Sequence, residues 1–259
     1  MDQANGEPVI ELRGVSKRFG DLHVLDAIDL KLHADQTTVI IGESGIGKSV
    51  LLRHTIGLLR PDEGEVYFQG QRIDTLGERE LVGVRRRFGF LFQMGALFDS
   101  MTIGQNIAFP LLEHTDYAAT RIRQLVAEKL ALVGLEGLEN RKPAELSGGQ
   151  RKRVALARAI ALDPEVILYD EPTTGLDPIR AEGINELIVK FKQERGVTGV
   201  VVTHDIHSAY VVADRILMLH AGRFIIDGSP QQIRASTDPR VRQFVSASGQ
   251  AQGKVTTNG

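Results

Sequence analysis

Residues 39–57 read VIIGESGIGKSVLLRHTIG. The first three residues of this stretch are β-branched and predict a short buried strand, whereas residues 50–56 carry apolar side chains as a helix would. Between them, residues 42–49 fit the pattern G-x-x-x-x-G-K-[S/T]. A strand, a glycine-rich loop and a helix in this order predict an α/β fold with a phosphate-binding loop.

The glycines explain how such a loop binds phosphate. Gly45 and Gly47 allow backbone conformations that a side chain would block, so successive N–H groups can point into one concavity. The helix that follows adds a partial positive charge at its N-terminus. In this pattern Lys48 reaches the β- and γ-phosphates of a nucleotide, and Ser49 binds Mg²⁺.

The composition excludes several classes of protein. The 259 residues, of which 42% are hydrophobic, suffice for one large α/β domain or two small ones. A net charge of −2 argues against wholesale nucleic-acid binding, and the lack of cysteine excludes disulfides and thiolate metal sites. The first residues show no signal-peptide pattern, and no window approaches the ~20 apolar residues of a membrane span. We expect a chain that is soluble or peripheral on another component.

Strands and helices alternate along most of the sequence, which predicts a parallel sheet. The expected strands lie at residues 9–13, 24–32, 65–68, 89–92, 166–169 and 200–203, and a hairpin is expected at residues 216–227. Helices are expected at residues 151–162, where the sequence is rich in alanine, and at residues 181–195. From about residue 94 to residue 163 strand signals vanish and apolar residues recur at helical spacing, which predicts an inserted helical subdomain. Residues 247–259 are rich in Ser, Gly, Gln, Thr and Asn, so we expect a mobile tail.

Two further segments predict contacts with phosphate. Residues 166–171, VILYDE, place two acids at the end of a buried strand, where Asp170 orients Mg²⁺ and Glu171 accepts the proton of an attacking water. Residues 146–150, LSGGQ, stand directly before a helix, so their N–H groups and hydroxyl can bind an anion. The alternative for this second segment is an ordinary helix cap.

Together, GESGIGKS, LSGGQ and YDEPTTGLDP resemble the nucleotide-binding subunits of ABC (ATP-binding cassette) transporters. The resemblance covers residues 10 to 245 and implies an ABC ATPase domain over residues 8–246. The fold it implies is an α/β P-loop NTPase, with a RecA-like core, an antiparallel β part and an inserted α-helical subdomain. The implied activity is the hydrolysis of ATP to ADP and phosphate, with ATP and Mg²⁺ bound.

The same resemblance assigns roles by motif. Phe19 matches the aromatic residue that stacks on adenine, although it could instead be a core residue at a strand end. Gln93 matches the Q-loop residue that links Mg²⁺ and the nucleophile to the membrane partner, Asp177 matches the D-loop, and His204 matches the switch histidine that senses the γ-phosphate. The implied catalytic residues are Lys48, Glu171 and His204, and the implied Mg²⁺ ligands are Ser49, Gln93 and Asp170. The implied nucleotide-binding residues are Phe19, Gly42, Glu43, Ser44, Gly45, Ile46, Gly47, Lys48, Ser49, Val50, Gln93, Ser147, Gly148, Gly149, Gln150 and Asp177.

Only one copy of each motif is present. The family resemblance therefore implies a head-to-tail homodimer in which residues 147–150 of one chain close the phosphate loop of the other. It also implies an integral-membrane permease as partner, a position on the cytoplasmic side of the inner membrane, and no nucleic-acid partner.

A closer resemblance concerns segments with little bearing on ATP chemistry. They lie at residues 48–54, 86–93, 95–100, 109–115 and 238–244, and they resemble the Mla/Mce lipid-transport ATPases. That group implies phospholipid transport between membranes through a permease coupled to an MCE-domain lipid-binding protein. Its proteobacterial members also imply a small STAS-domain subunit.

Several alternatives stay open at this point. The cargo could be another small substrate, such as an amino acid or a metal, or the chain could be a non-transport ABC protein. Arg85, Arg86 and Arg87 could form a solvated face or meet anionic lipid headgroups. Residues 94–110, dense in apolar side chains, could be subdomain core or part of a groove for a cytoplasmic helix of the permease.

Overall fold

The computed structural model describes residues 6–253, and side-chain surroundings for residues 6–247. The described chain divides into two compact units. The first unit comprises residues 6–81 and 198–253, and the second comprises residues 82–197. Within residues 6–253, no helix combines the length and the hydropathy that crossing a membrane requires.

The strands are β1 (Ile10–Phe19), β2 (Leu22–Leu32), β3 (Thr37–Ile41), β4 (Glu63–Phe68), β5 (Gln71–Arg72), β6 (Phe88–Leu91), β7 (Val166–Asp170), β8 (Thr198–Thr203), β9 (Arg215–His220) and β10 (Arg223–Gly228). The helices are α1 (Lys48–Thr55), α2 (Glu78–Arg85), α3 (Ile103–His114), α4 (Ala119–Leu132), α5 (Gly148–Ala159), α6 (Pro178–Arg195), α7 (Ile206–Val212), α8 (Pro230–Arg234) and α9 (Pro239–Gly253).

The first unit contains an antiparallel sheet of strands β2, β1, β4 and β5, in that order. On β2 the side chains of Ile28, Leu30 and Leu32 are buried, whereas Asp29 and Lys31 between them are exposed. This alternation, predicted from the sequence, is that of a strand with one face on the core and one in solvent.

The first unit also contains parallel strands β9, β3 and β8, with β10 antiparallel to β9 at the outer edge. Every residue of β3 and β8 is buried. Helices α1 and α7 pack against these strands. Strands covered on both faces have continuous apolar sequences, which explains the runs at residues 39–41 and 200–202.

In the second unit, β6 and β7 pair in parallel, and α5 packs on β6. Helices α3 and α4 pack on each other and on α5. Lys129 of α4 is buried, and its ammonium group forms an ion pair with Asp163 at 2.5 Å. Asp163 also forms an ion pair with Arg195 at 3.0 Å. The unit therefore combines a short parallel pair of strands with the four helices α3, α4, α5 and α6.

Two helices begin earlier than the sequence predicted. Helix α5 begins at Gly148 rather than residue 151, and α6 begins at Pro178 rather than residue 181. The physical reason is the same, because Ser147 and Asp177 cap the two N-termini with their side chains. The predicted tail begins at residue 247; α9 is described to Gly253, and residues 254–259 lie outside the described residues.

Candidate functional site

The glycine-rich loop leaves the sheet of the first unit at the end of β3. Gly42, Gly45 and Gly47 have φ angles of +156°, +79° and +109°, which side chains rarely adopt. A Cβ atom on Gly42 would lie 2.6 Å from the carbonyl oxygen of Leu219, and one on Gly47 would lie 2.6 Å from Cγ1 of Val24. Glycine is therefore required at both ends of the loop.

The phosphate-binding features of this loop are completed by Lys48 and by the N-terminus of α1. Gly47 occupies the N-cap of α1, so no side chain at that position accepts the N–H groups of the first turn. Lys48 is buried, and its Nζ donates to the carbonyl oxygens of Gly42 at 2.8 Å and Glu43 at 2.9 Å. A glycine cradle, a helix N-terminus and an ammonium group held inside the loop fit the phosphate chain of a nucleotide.

His204 leaves the same sheet edge as the loop. In the parallel pair of β3 and β8, Ile41 is the partner of Thr203, so Gly42 and His204 each follow the last paired residue. Asp205 then caps α7, accepting from the backbone N–H groups of His207 at 3.0 Å and Ser208 at 3.3 Å. This cap fixes the turn that presents His204.

Phe19 ends β1 in the first unit. Its side chain is 48% exposed, so the alternative that it is a core residue is wrong. The ammonium of Lys17 lies 5.7 Å from the ring centroid. Lys17 also donates to Oδ1 of Asp62 at 2.7 Å, and the N–H of Arg18 donates to Oδ2 at 2.7 Å. Asp62 was not among the predicted site residues, and no local sequence signal connects it with Phe19.

The second unit presents a separate set of predicted site residues at one edge of its strands. Leu91 of β6 is the partner of Tyr169 of β7, so Gln93 and the acids Asp170 and Glu171 follow the paired residues. Both acids are buried. Glu171 has a φ of +49°, and the hydroxyl of Thr174 donates to its Oε2 at 3.1 Å. Gln93 is exposed.

A buried lysine of α5 contacts both of these segments. The Nζ of Lys152 donates to the carbonyl oxygen of Gln93 and, at 3.2 Å, to that of Glu171. Burial lowers the pKa of Lys152, while the charges of Asp170 and Glu171 oppose this shift. The sequence offered one signal, since Lys152 precedes the buried Ala155 and Leu156 by three and four residues and so lies on the buried face of the helix.

The segment 147–150 forms a helix cap. The hydroxyl of Ser147 accepts from the N–H of Gln150 at 3.3 Å, and the side-chain oxygen of Gln150 accepts from the N–H of Ser147 at 3.0 Å. This is a capping box. Asp177 likewise caps α6, accepting from the N–H of Arg180 at 3.0 Å. The helix-cap alternative is thus realised, and phosphate binding by residues 147–150 stays a prediction.

The predicted site residues fall into two groups. The first unit holds Phe19, Gly42, Glu43, Ser44, Gly45, Ile46, Gly47, Lys48, Ser49, Val50 and His204. The second unit holds Gln93, Ser147, Gly148, Gly149, Gln150, Asp170, Glu171 and Asp177.

The sequence model of the family described as "ABC transporter" matches residues 25–174. The chain belongs to the ABC transporter family of ATPases. This membership confirms the resemblance on which the site residues were assigned, and the roles of the individual residues stay predictions.

Two curated relatives of this ABC cassette carry different transport names. "Probable ribonucleotide transport ATP-binding protein mkl" of Mycobacterium tuberculosis is 44% identical over 236 residues, which are 91% of this chain and 66% of the relative. The chain thus spans slightly less than two thirds of that relative. "Intermembrane phospholipid transport system ATP-binding protein MlaF" of Haemophilus influenzae is 42% identical over 247 residues, which are 95% of this chain and 93% of MlaF.

A solved structure supports the fold. The ATP-binding cassette MJ0796, in a dimeric post-hydrolysis state bound to ADP and Pi, superposes with a TM-score of 0.79 and 36% identity. The match covers 85% of this chain and 98% of MJ0796. The predicted ABC ATPase fold is confirmed.

The second unit of the cassette also carries an apolar groove whose lining includes basic residues. Its volume is about 460 Å³, and its lining includes Phe88, Phe90, Phe92, Phe98, Phe109 and Pro110, with Arg85, Arg86, His114 and Arg158. Phe98 packs on Phe109 with ring centroids 5.0 Å apart, and the Arg158 guanidinium lies 5.6 Å from the centroid of Phe98.

Residues 94–110 divide between core and exposed positions, and a groove for a permease helix stays a prediction. Ile103 and Ile107 are buried, as subdomain core would be, whereas Met94 and Phe98 are 90% and 41% exposed. The core alternative is therefore wrong for Met94 and Phe98.

The three consecutive arginines are not simply a solvated face. Arg86 donates to the carbonyl oxygen of His114 at 2.7 Å, and Arg87 forms two hydrogen bonds of 2.7 Å with Glu165.

Proposed function

We propose that this ABC cassette hydrolyses ATP to ADP and phosphate and that hydrolysis powers the transport of phospholipid through a membrane permease. The observation that carries the proposal is the loop of residues 42–49, in which Lys48 is held by loop carbonyl groups at a helix N-terminus whose N-cap residue is a glycine without a side-chain cap. That arrangement suits a nucleotide phosphate chain.

The chemistry assigned to the residues follows from their types and placement. Glu171 acts as general base and accepts the proton of the water that attacks the γ-phosphoryl group in line. Lys48 and His204 stabilise the charge that develops in the transition state. The hydroxyl of Ser49, the amide of Gln93 and the carboxylate of Asp170 are oxygen ligands of the type that Mg²⁺ prefers, and the bound ion would neutralise phosphate charge.

A second copy of the chain completes the proposed enzyme. Residues 147–150 of one copy close on the nucleotide of the other, in a homodimer that ATP closes and hydrolysis reopens. The dimeric form of the solved cassette MJ0796 supports this part of the proposal.

The proposed cargo is phospholipid, because the chain spans 93% of MlaF, an intermembrane phospholipid transport ATPase by name. The segments at residues 95–100 and 238–244 favour the same group. The proposed partners are a permease, an MCE-domain lipid-binding protein and, in a proteobacterial setting, a STAS-domain subunit. The proposed location is the cytoplasmic face of the inner membrane. The name of the mycobacterial relative makes ribonucleotide the rival cargo.

The catalytic assignment is tested by Glu171→Gln in the purified complex. Loss of a positioned general base should lower kcat by about 10²- to 10⁴-fold, while ATP binding measured by equilibrium titration persists. Glu165→Gln is the matched control, because Glu165 belongs to the same unit and pairs with Arg87 instead. Near-normal turnover of Glu171→Gln would overturn the assignment of the base.

The cargo is tested by purifying the tagged full chain from detergent-solubilised native membranes, with mass spectrometry of bound proteins and lipids. Recovery of a multi-span permease with an MCE-domain protein and phospholipid is expected. Recovery of a different permease that binds ribonucleotides would show that the cargo is ribonucleotide and would leave the ATPase assignment unchanged. Ribosomal proteins or nucleic acid alone would overturn the transporter proposal.

A further inference from the structure

We propose that Lys152 is a positioning residue that couples the backbone after β6, at Gln93, to the proposed general base Glu171 after β7. The inference rests on the proposed function in one respect, namely that Glu171 is the base. The three residues lie in the second unit.

The contacts of Lys152 carry the inference. One ammonium group donates to the carbonyl oxygens of both Gln93 and Glu171, the latter at 3.2 Å. The ladder between β6 and β7 ends at the pair of Leu91 and Tyr169, so both carbonyl groups lie beyond it. Lys152 therefore joins two segments at the point where the strand pairing no longer does.

The position of Lys152 is costly. Lys152 is only 7% exposed. Burying an ammonium group is unfavourable unless hydrogen bonds and nearby negative charge compensate for the lost hydration. The two carbonyl groups supply the hydrogen bonds, and the carboxylates of Asp170 and Glu171 supply the charge. A buried cation compensated by these particular groups suggests a role at this site beyond filling the core.

The backbone of Glu171 explains what Lys152 holds in place. A φ of +49° is unfavourable for a residue with a side chain, by about 1–2 kcal/mol, and persists only when the surroundings enforce it. Lys152 and the N–H of Thr174, at 3.3 Å, both donate to the Glu171 carbonyl oxygen. These bonds fix the peptide that follows Glu171 and so the backbone from which its side chain extends, while the hydroxyl of Thr174 holds the carboxylate itself, at 3.1 Å from Oε2.

The shared ammonium group also predicts coupling. A displacement of the backbone at Gln93 would move the Lys152 ammonium group, which also holds the backbone of Glu171. The position of the segment after β6 therefore alters the reactivity of Glu171. Lys152 itself is not the base and does not replace it.

The test uses Lys152→Met in the full complex, with ATP turnover measured over a range of ATP concentrations. We expect kcat to fall at least tenfold and KM for ATP to change less than twofold, because the loop of residues 42–49 is left intact. Lys152→Arg, which keeps a charged donor, should recover most of kcat. Lys129→Met is the matched control, since Lys129 is an equally buried lysine of the same unit that pairs with Asp163.

A double-mutant comparison separates positioning from general stability. In single-turnover measurements, Lys152→Met should cause no further loss in a Glu171→Gln background, because Lys152 acts through Glu171. Losses that multiply, a loss equal to that of Lys129→Met, or an unchanged kcat would each overturn the inference. If Lys152→Met does not fold, Lys152→Gln is judged by the same criteria.

The failures of the two proposals are distinguishable. Normal activity of Glu171→Gln would show that Glu171 is not the general base. An inactive Glu171→Gln variant together with a fully active Lys152→Met variant would instead leave the base in place and overturn only the role of Lys152.

Discussion

The Nζ of Lys17 lies 2.7 Å from Oδ1 of Asp62, directly beside the end of β1. The hydrogen bond from Lys17, followed by that from the backbone of Arg18, holds the pKa of Asp62 below its ordinary value of 3.8. Asp62 therefore holds, from the loop before β4, the two residues that precede Phe19. The ring of Phe19, which directly follows the two residues bound by Asp62, is half exposed.

We expect Asp62→Asn to raise KM for ATP by about 2- to 10-fold, the range that corresponds to a disturbed aromatic contact, with kcat little changed. Steady-state kinetics and nucleotide titration measure both quantities. The control is Asp227→Asn, which removes a comparable ion pair with Arg215 in the same unit. In a Phe19→Ala background the substitution at Asp62 should have no additional effect on KM; an undiminished effect there would show that Asp62 does not act through Phe19.

The contrast between Phe19 and Asp62 shows what the sequence could predict. The strands, the glycine loop and the acidic strand end depend on residues within a few positions of one another, so their patterns are readable locally. The contacts of Lys17 with Asp62 and of Lys152 with Gln93 join residues distant along the chain, so no local pattern identifies the partners, although helix periodicity places Lys152 on a buried face. The caps by Ser147 and Asp177 are local, yet the predicted helices begin three residues late because residues 148–150 and 178–180 do not show the apolar spacing of a helix.

The glycine loop gives a second prediction. Gly42→Ala should destabilise the protein more than Gly45→Ala, although both residues have positive φ. A Cβ on Gly42 would lie 2.6 Å from a backbone oxygen of β9, whereas a Cβ on Gly45 would meet nothing within 4 Å. Gly45→Ala should cost about 1 kcal/mol from its backbone conformation alone. Denaturant titration of both variants measures the difference, and equal losses would contradict the close approach at Gly42.

The apolar groove of the second unit gives a third prediction. Phe98→Ser should weaken association with the permease at least tenfold in pull-down titrations and leave the basal ATP turnover of the isolated chain within twofold. The reason is that an interface loses most when a buried aromatic anchor is truncated. Leu58→Ser is the control, because Leu58 is 44% exposed in the first unit, close to the 41% of Phe98. If Phe98→Ser associated with the permease as tightly as the wild type, the groove would not be the docking surface.

His54, on helix α1 behind the glycine loop, gives a prediction about pH. Its ring is fully buried, and Nδ1 donates to the carbonyl oxygen of Val50 at 2.7 Å. Burial lowers the pKa of His54 below its ordinary value of 6.5, an effect that the bond to Val50 partly opposes. The folded protein therefore resists protonation of this imidazole, whereas the unfolded chain does not.

It follows that the contribution of His54 to stability is fully present above pH 6.5, the ordinary value, and is lost as the pH falls from there toward the lower pKa of the folded state. The slope for one proton is at most about 1.4 kcal/mol per pH unit. His54→Gln cannot titrate, so its unfolding free energy should vary less than that of the wild type between about pH 7 and pH 5.5. His23→Gln, a substitution at an exposed histidine of the same unit, is the control and should leave the pH dependence unchanged. Parallel curves for the wild type and His54→Gln, measured by urea denaturation across this range, would mean that the buried imidazole is not the group that titrates.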